Sequence, residues 1–226
     1  MLRVIQAQDK EQVLLFATNN FHQHEPMTRA TGKALSEMIE LFGPVTEACC
    51  SSGMSFMLEH QQPDTDTNTI ISVSLTLPYP DYKAVQWPDV PRPARDLMTP
   101  LAELPTDQHA AAVYMFLWAT HTDHMGKGHV KAVVSASEQA AQQAGFRFLV
   151  ADVTNVVSQH LAIDRFGYMP MEPKARYHDH ERFKTVTCSE FVIRAVKDLA
   201  RQPEGEATLH TQPEQQQQQQ QEGGSS

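Results

Sequence analysis

Hydrophobic and polar positions along this chain switch between a period of two and a period near 3.6, the marks of strands and helices. Leu2 to Ile5 reads as a short strand, and Asp9 stands at the N-cap of a helix that puts Val13, Phe16 and Ala17 on one side. A second helix is predicted after Thr28, with Ala34, Leu35, Met38, Leu41 and Phe42 at helical spacing and Gly43-Pro44 as its stop. Residues 53 to 60 read as a strand, and in residues 69 to 77 Ile71, Val73, Leu75 and Leu77 alternate with Ser72, Ser74 and Thr76. The link from Gln62 to Asn68 has turn chemistry, so the two strands are expected to form an antiparallel hairpin. The proline-rich stretch from Pro78 to Pro105 reads as a long loop with a short helix around residues 93 to 103, a candidate lid.

Residues 111 to 119 form an unbroken apolar run, the pattern of a strand covered on both faces. A polar turn with glycines follows, then a helix carrying Val130, Val133, Val134, Ala140, Ala141 and Ala144, closed by Gly145, and a strand from Phe146 to Val153. This strand–turn–helix–strand unit implies a right-handed crossover with parallel pairing. A helix over residues 155 to 165 should end before Gly167, and Phe183 onward reads as a strand to Ile193. From residue 202 the composition changes to a glutamine run, Gln215 to Gln221, and Gly223-Gly224-Ser225-Ser226. Such a segment buries too little apolar surface to offset its ordering entropy, so one domain over residues 1–201 and a disordered tail over 202–226 are expected.

The 226 residues carry a formal net charge of −9 and a pI near 5.6, which argues against nucleic acid or an anionic membrane as partner. No apolar run approaches the roughly 18 residues of a membrane span, and the first residues lack the apolar stretch of a signal peptide. Cys49, Cys50 and Cys188 do not make a disulfide framework, so free thiols in a reducing, cytoplasmic setting are expected. Among 11 histidines, His121, His124 and His129 lie close in sequence, and His178 and His180 would share one face of a strand. Neither group has the paired cysteine spacing of a structural zinc site, and no metal is assigned.

The stretch from His121 to Lys131 joins the buried strand to a helix N-terminus, where successive backbone N–H groups and the helix dipole favour an anion. Gly126 and Gly128 let the main chain approach a phosphate, and Lys127 adds positive charge. The stretch is neither a P-loop nor a dinucleotide fingerprint. It sits inside a block, Val113 to Tyr168, that resembles the core of the GNAT acetyltransferases. Met125-Gly126-Lys127-Gly128-His129-Val130 occupies the place of that family's pyrophosphate loop, with Met125 where the family favours Arg or Gln and Val130 at its final Gly or Ala. Gly145 to Thr154 and then Phe166-Gly167-Tyr168 are similar to the family's downstream strand and closing turn. Three further phrases resemble the arylalkylamine N-acetyltransferase-like branch: Phe21 to Thr28 with Glu25-Pro26-Met27, Thr154 to Ser158, and Arg176 to His180.

The resemblance implies an α/β GNAT fold with a mixed central sheet of about seven strands and helices on both faces. It also implies acetyl-CoA as co-substrate and a primary amine of a small molecule, arylalkylamine- or polyamine-like, as acceptor. Glu25 would be the base, working through a water, and Ser158 with Thr154 would serve the thiolate side. Backbone N–H groups of Trp118, Ala119 and Thr120 would polarise the thioester carbonyl, and Met125 through Val130 would hold the pyrophosphate. Ala162 and Ile163 stand where many of these enzymes place a tyrosine acid. From the residues alone, Glu25-Pro26 also fits a plain helix start, and Thr154 a helix N-cap with Ser158 on that helix. A non-catalytic acyl-CoA-binding protein and a protein-directed acetyltransferase are the rival functions.

Overall fold

The computed structural model describes residues 1–61, 68–88 and 90–200, so the glutamine-rich tail and residues 62–67, where a turn is expected, lie outside the described residues. Strand β1 (Leu2–Val4) pairs antiparallel with β2 (Phe56–Gln61), β2 with β3 (Asn68–Pro78), and β3 with β4 (Ala112–Thr120). β4 runs parallel to β5 (Phe148–Val153), joined to it by helix α6 (His129–Gln143), as the crossover pattern predicts. β5 then pairs antiparallel with β8 (Phe191–Asp198), which also holds the two-residue strands β6 (Met169–Pro170) and β7 (Ala175–Arg176). The expected mixed α/β sheet is thus present, with eight strands among the described residues, two of them too short to leave a periodic signal.

The alternation along β4 shows how the sheet separates two cores. Ala112, Tyr114, Leu117 and Ala119 join one apolar cluster with Val13 and Ala17 of α1 (Lys10–His24) and with Met38, Phe42 and Val45 of α3 (Leu35–Ser51). Val113 and Met115 join the other, with Val134 and Ala141 of α6. Helices therefore cover both faces. The serines of β3 are not a solvent face: Ser74 is fully buried and its hydroxyl bonds the Val133 carbonyl at 2.9 Å beneath α6. Pairing with main chain and side-chain hydroxyls is what allows polar residues there.

Several local expectations are overturned by burial. The helix expected after Thr28 is divided into α2 (Pro26–Thr31) and α3, with Gly32 between them at φ 68°, a left-handed conformation that favours glycine. α3 then continues through Gly43-Pro44 to Ser51. Proline costs one hydrogen bond there, whereas the helix beyond it buries Val45, Thr46, Cys49 and Cys50 completely or nearly so. Asp9 precedes α1 without capping it; its carboxylate accepts the Gln6 N–H at 2.7 Å and pairs with Arg3 at 2.7 Å. Arg3 in turn holds Glu59 at 2.7 Å, tying β1 to β2, and its hydrogen bond keeps the Asp9 carboxyl below its usual range.

Residues 78–105 are not a lid. They form α4 (Tyr79–Ala84) and α5 (Arg92–Met98), anchored by buried Tyr79, Leu97, Leu101 and Leu104. The last long strand starts at Phe191 and not at Phe183, which ends a 3-10 turn and plugs a small core with Val186 and Tyr177. His178 lies in another such turn, Tyr177–Asp179, with His180 just after it, so the two do not share a strand face. Spaced apolar plugs under a turn imitate strand alternation when only the sequence is read.

Candidate active site

β4 and β5 pair only at Ala112–Phe148, Val113–Leu149 and Tyr114–Val150, and beyond these residues they part. On the other edge of β4 the register with β3 slips between Leu75 and Thr76, leaving Phe116 as an extra residue on β4. A bulge of this kind increases strand twist and bends the strand. A cavity of about 470 Å³ opens in the gap, lined by Met115 to Thr120 of β4, by Asp152 to Ser158 after the split in β5, and by the corner between α1 and α2. Glu25, Thr154, Ser158, Trp118, Ala119, Thr120, Met125, Gly126, Gly128, His129 and Val130 all line it. Lys127 does not; its ammonium donates to the Asp123 carbonyl at 3.0 Å. None of the described residues from 78 to 105 lines the cavity.

Glu25 is the joint between α1 and α2. Its extended backbone (ψ 126°) breaks the helix, Pro26 starts the next one, and its carboxylate caps that helix. One oxygen accepts the Met27 N–H at 3.0 Å and the other the Thr28 N–H at 2.6 Å, and the residue is only 5% exposed. The helix-start reading and the cavity-lining reading are therefore both true of one side chain. Each carboxylate oxygen keeps a further lone pair for a donor in the cavity.

The helix α7 (Val156–His160) is capped by Asn155, not by Thr154. Asn155 Oδ1 accepts the Ser158 N–H at 2.8 Å, and the Ser158 hydroxyl donates back to the Asn155 carbonyl at 2.9 Å. Asparagine one position on is at least as good a cap, and it frees the Thr154 hydroxyl, which has no partner among the described residues. Thr154 is held through its carbonyl, which accepts the Tyr177 hydroxyl at 2.7 Å. Burial, then the nearby Glu25 carboxylate and Cys188, push the Tyr177 phenol well above its ordinary range, so it stays a neutral donor. Ala162, at the position of the absent tyrosine acid, is buried in the core behind α6.

At the other end the loop before α6 presents main chain. Gly126 and Gly128 have φ of 74° and 80°, and a Cβ on either would meet nothing within 4 Å, so it is conformation and not crowding that calls for glycine. Gly128 is the N-cap of α6 and brings no side chain to cap it. The N–H groups from Gly126 to Val130 have no acceptor among the described residues. A run of unspent donors at a helix N-terminus, beside a cavity, fits an anionic group such as a diphosphate.

The charges on the wall are unequal. Asp152 is neutralised by Arg194, which donates to its two oxygens at 2.7 and 2.8 Å, and by the Tyr114 hydroxyl at 2.8 Å. Arg29, on α2 a turn beyond Glu25, is exposed and has no ion-pair partner among the described residues. Sequence reasoning missed Arg29, Phe116, Asp152 and Cys188 as wall residues. Phe116 arrives through the bulge and Cys188 through a patternless segment, so neither had a local signal. Among the described residues, no group of three His, Cys, Asp or Glu side chains is arranged to hold a metal ion, and no helix is long and apolar enough to cross a membrane.

No protein-family model matches the sequence, and no curated protein matches it. Solved structures do. The C-terminal condensation domain of Ebony, in complex with beta-alanyl-dopamine, is similar with a TM-score of 0.65 at 12% identity, over 88% of this chain and 98% of that one. Arylalkylamine N-acetyltransferase 2 from Aedes aegypti matches with a TM-score of 0.60 at 18% identity, over 88% and 98% of the two chains. The polyamine N-acetyltransferase of Drosophila melanogaster matches with a TM-score of 0.60 at 14% identity, over 88% and 99%. The chain shares the fold of these proteins, the GNAT fold that its motifs lead one to expect.

Proposed function

We propose that this protein transfers an acyl group, acetyl in the simplest case, from acyl-CoA to a primary amine of a small molecule. The observation that carries the reading is one splayed cavity with the Glu25 carboxylate at one end and the unspent N–H groups of Gly126 to Val130 at the other. The residues fit acyl-CoA because those donors suit its diphosphate and the gap between β4 and β5 suits an extended arm. Bound acyl-CoA supplies the thioester. The named substrates of the similar structures, arylalkylamines and polyamines, give the class of acceptor to try first.

In this reading Glu25 accepts the ammonium proton, directly or through one water, on a lone pair that Met27 and Thr28 leave free. The released amine attacks the thioester carbonyl and forms the C–N bond; the C–S bond then breaks, and the proton that the new amide nitrogen sheds goes to the departing thiolate. The edge of β4 around Trp118 to Thr120, which no longer pairs with β5, offers N–H groups to the developing oxyanion. Thr154 gives the departing thiolate a hydroxyl donor, since its own is unpartnered; Ser158, already donating to Asn155, supports that turn. The three cysteines are free, which suits a reducing compartment such as the cytoplasm.

The test is release of free CoA thiol from acetyl-CoA with a panel of arylalkylamines and polyamines, for the parent protein and Glu25→Gln. Amine-dependent release that disappears in the variant, with CoA binding retained, supports the reading. Release equal in both proteins removes Glu25 as base; CoA binding without release on any amine removes the catalytic reading.

A further inference from the structure

Three imidazoles gather at the cofactor end of the cavity, and the steps above use none of them. His121 follows β4, His124 ends the 3-10 turn Thr122–His124, and His129 opens α6. The ring centroids lie 5.8 Å apart for His121 and His124 and 6.0 Å apart for His124 and His129. All three are half-buried, whereas Met125 to Gly128 between them are exposed. His124 and His129 line the cavity on the side of the unspent N–H groups. The charged surroundings are sparse. Asp123 is a carboxylate acting on His124; its Oδ2 lies 3.9 Å from His121 Nδ1. Lys127 is the neighbouring cation from the loop, with Lys131 exposed on the first turn of α6. The adjoining ends of β3 and β4 bring Ile71 and Thr120, which carry no charge.

A diphosphate carries two negative charges, and this loop has no arginine to meet them. Main-chain N–H groups supply only partial charge, and Lys127 is engaged with the Asp123 carbonyl. An imidazole that gains a proton supplies a full charge and a charge-assisted hydrogen bond. Resting on the acyl-CoA reading above, we propose that His124 and His129 contact the diphosphate of the cofactor and that the protein takes up a proton as it binds. Cofactor affinity then rises as pH falls through the imidazole range.

The free protein is arranged for this. Burial first, then Lys127, His121 and His129, hold His124 below the ordinary imidazole range, so it meets the ligand neutral. Phosphate oxygens beside the ring act in the opposite direction and raise its pKa in the complex. A group whose pKa is higher when bound strengthens binding as pH falls through the bound value, and the gain levels off below the free value.

The experiment is calorimetric titration of the full chain with CoA at about pH 8 and about pH 6, each in two buffers of different ionisation enthalpy. Dephospho-CoA is titrated alongside, because the 3′-phosphate of CoA is a monoester that itself titrates near ~6. The expected result, for both ligands, is binding about tenfold tighter at the lower pH with uptake of about one proton. The double variant His124→Gln, His129→Gln should lose both the pH dependence and the proton uptake. Equal affinity at both pH values for dephospho-CoA, or a pH dependence that survives in the double variant, overturns the proposal. Absence of CoA binding by the parent at either pH would remove the acyl-CoA reading itself and this inference with it.

Discussion

The two ends of the cavity are built from different parts of the polypeptide. At the corner between α1 and α2 a side chain is the feature, and its surroundings fix it: Glu25 is 5% exposed and both of its oxygens are hydrogen-bonded to the turn that it starts. At the loop before α6 the main chain is the feature, exposed from Gly126 to Gly128 and without an acceptor among the described residues from Gly126 to Val130, with glycine φ values of 74° and 80° giving it its course. The contrast teaches where each end tolerates change. A site made of backbone donors is indifferent to most side chains but not to backbone conformation. A site made of one buried carboxylate is the reverse. The departures at Met125 and Val130 from the usual pyrophosphate phrase are therefore compatible with a working loop, because neither alters the direction of the N–H groups.

The most severe break in this comparison is Glu25→Gln. The amide keeps the shape but loses the base, and turnover should fall by at least about 10²-fold while CoA binding is unchanged. Steady-state thiol release beside calorimetry separates the two effects; a parallel loss of binding would mean that the ends are not independent. Next in size is Gly128→Ala, which puts a Cβ on a residue at φ 80°. The strain of about 1–2 kcal/mol falls on the loop, so CoA should bind about tenfold more weakly with the amine KM unchanged.

Tyr177→Phe tests the brace between the halves. It removes the 2.7 Å hydrogen bond to the Thr154 carbonyl from a fully buried ring, at a cost of about 1–2 kcal/mol. In a domain of this size that lowers the melting temperature by about 2–8 °C, read by thermal denaturation, with turnover reduced less than by the change at Glu25. Removing the exposed Arg29 with Arg29→Ala should lower the KM of polycationic amines by about threefold and that of singly charged arylalkylamines by less, since exposed charges are worth about 0.2–1 kcal/mol. The smallest effect belongs to Met125→Ala, about twofold or less on CoA affinity, because Met125 is exposed and contributes no polar group. A large loss there would show that side chains govern the cofactor end after all.

Local sequence was a good guide where a residue's task is set by its near neighbours. Glu25-Pro26 starts a helix in any context, Gly126 and Gly128 flank a helix start, and the apolar run of residues 111–119 can only be a covered strand. It was a poor guide where burial outweighs a local preference. The Gly43-Pro44 stop was overruled by the apolar residues that follow it, and the proline-rich segment became two anchored helices because Tyr79, Leu97 and Leu104 find a core. The N-cap passed from Thr154 to Asn155, a shift of one residue that periodicity does not resolve.

The sequence by itself determined the order of the longer strands and of the helices packed on them, the parallel crossover around α6, the glycines of the loop before α6 and the presence of a carboxylate at a helix start. Each of these is a property of a few consecutive residues and their intrinsic geometry. Only the tertiary structure decided that β4 and β5 part after Tyr114, that Phe116 bulges from its ladder, and that Glu25, Thr154, Cys188 and the loop before α6 face one cavity. Strand separation depends on which residues of distant segments pair and where that pairing stops. No local pattern in the chain carries that information.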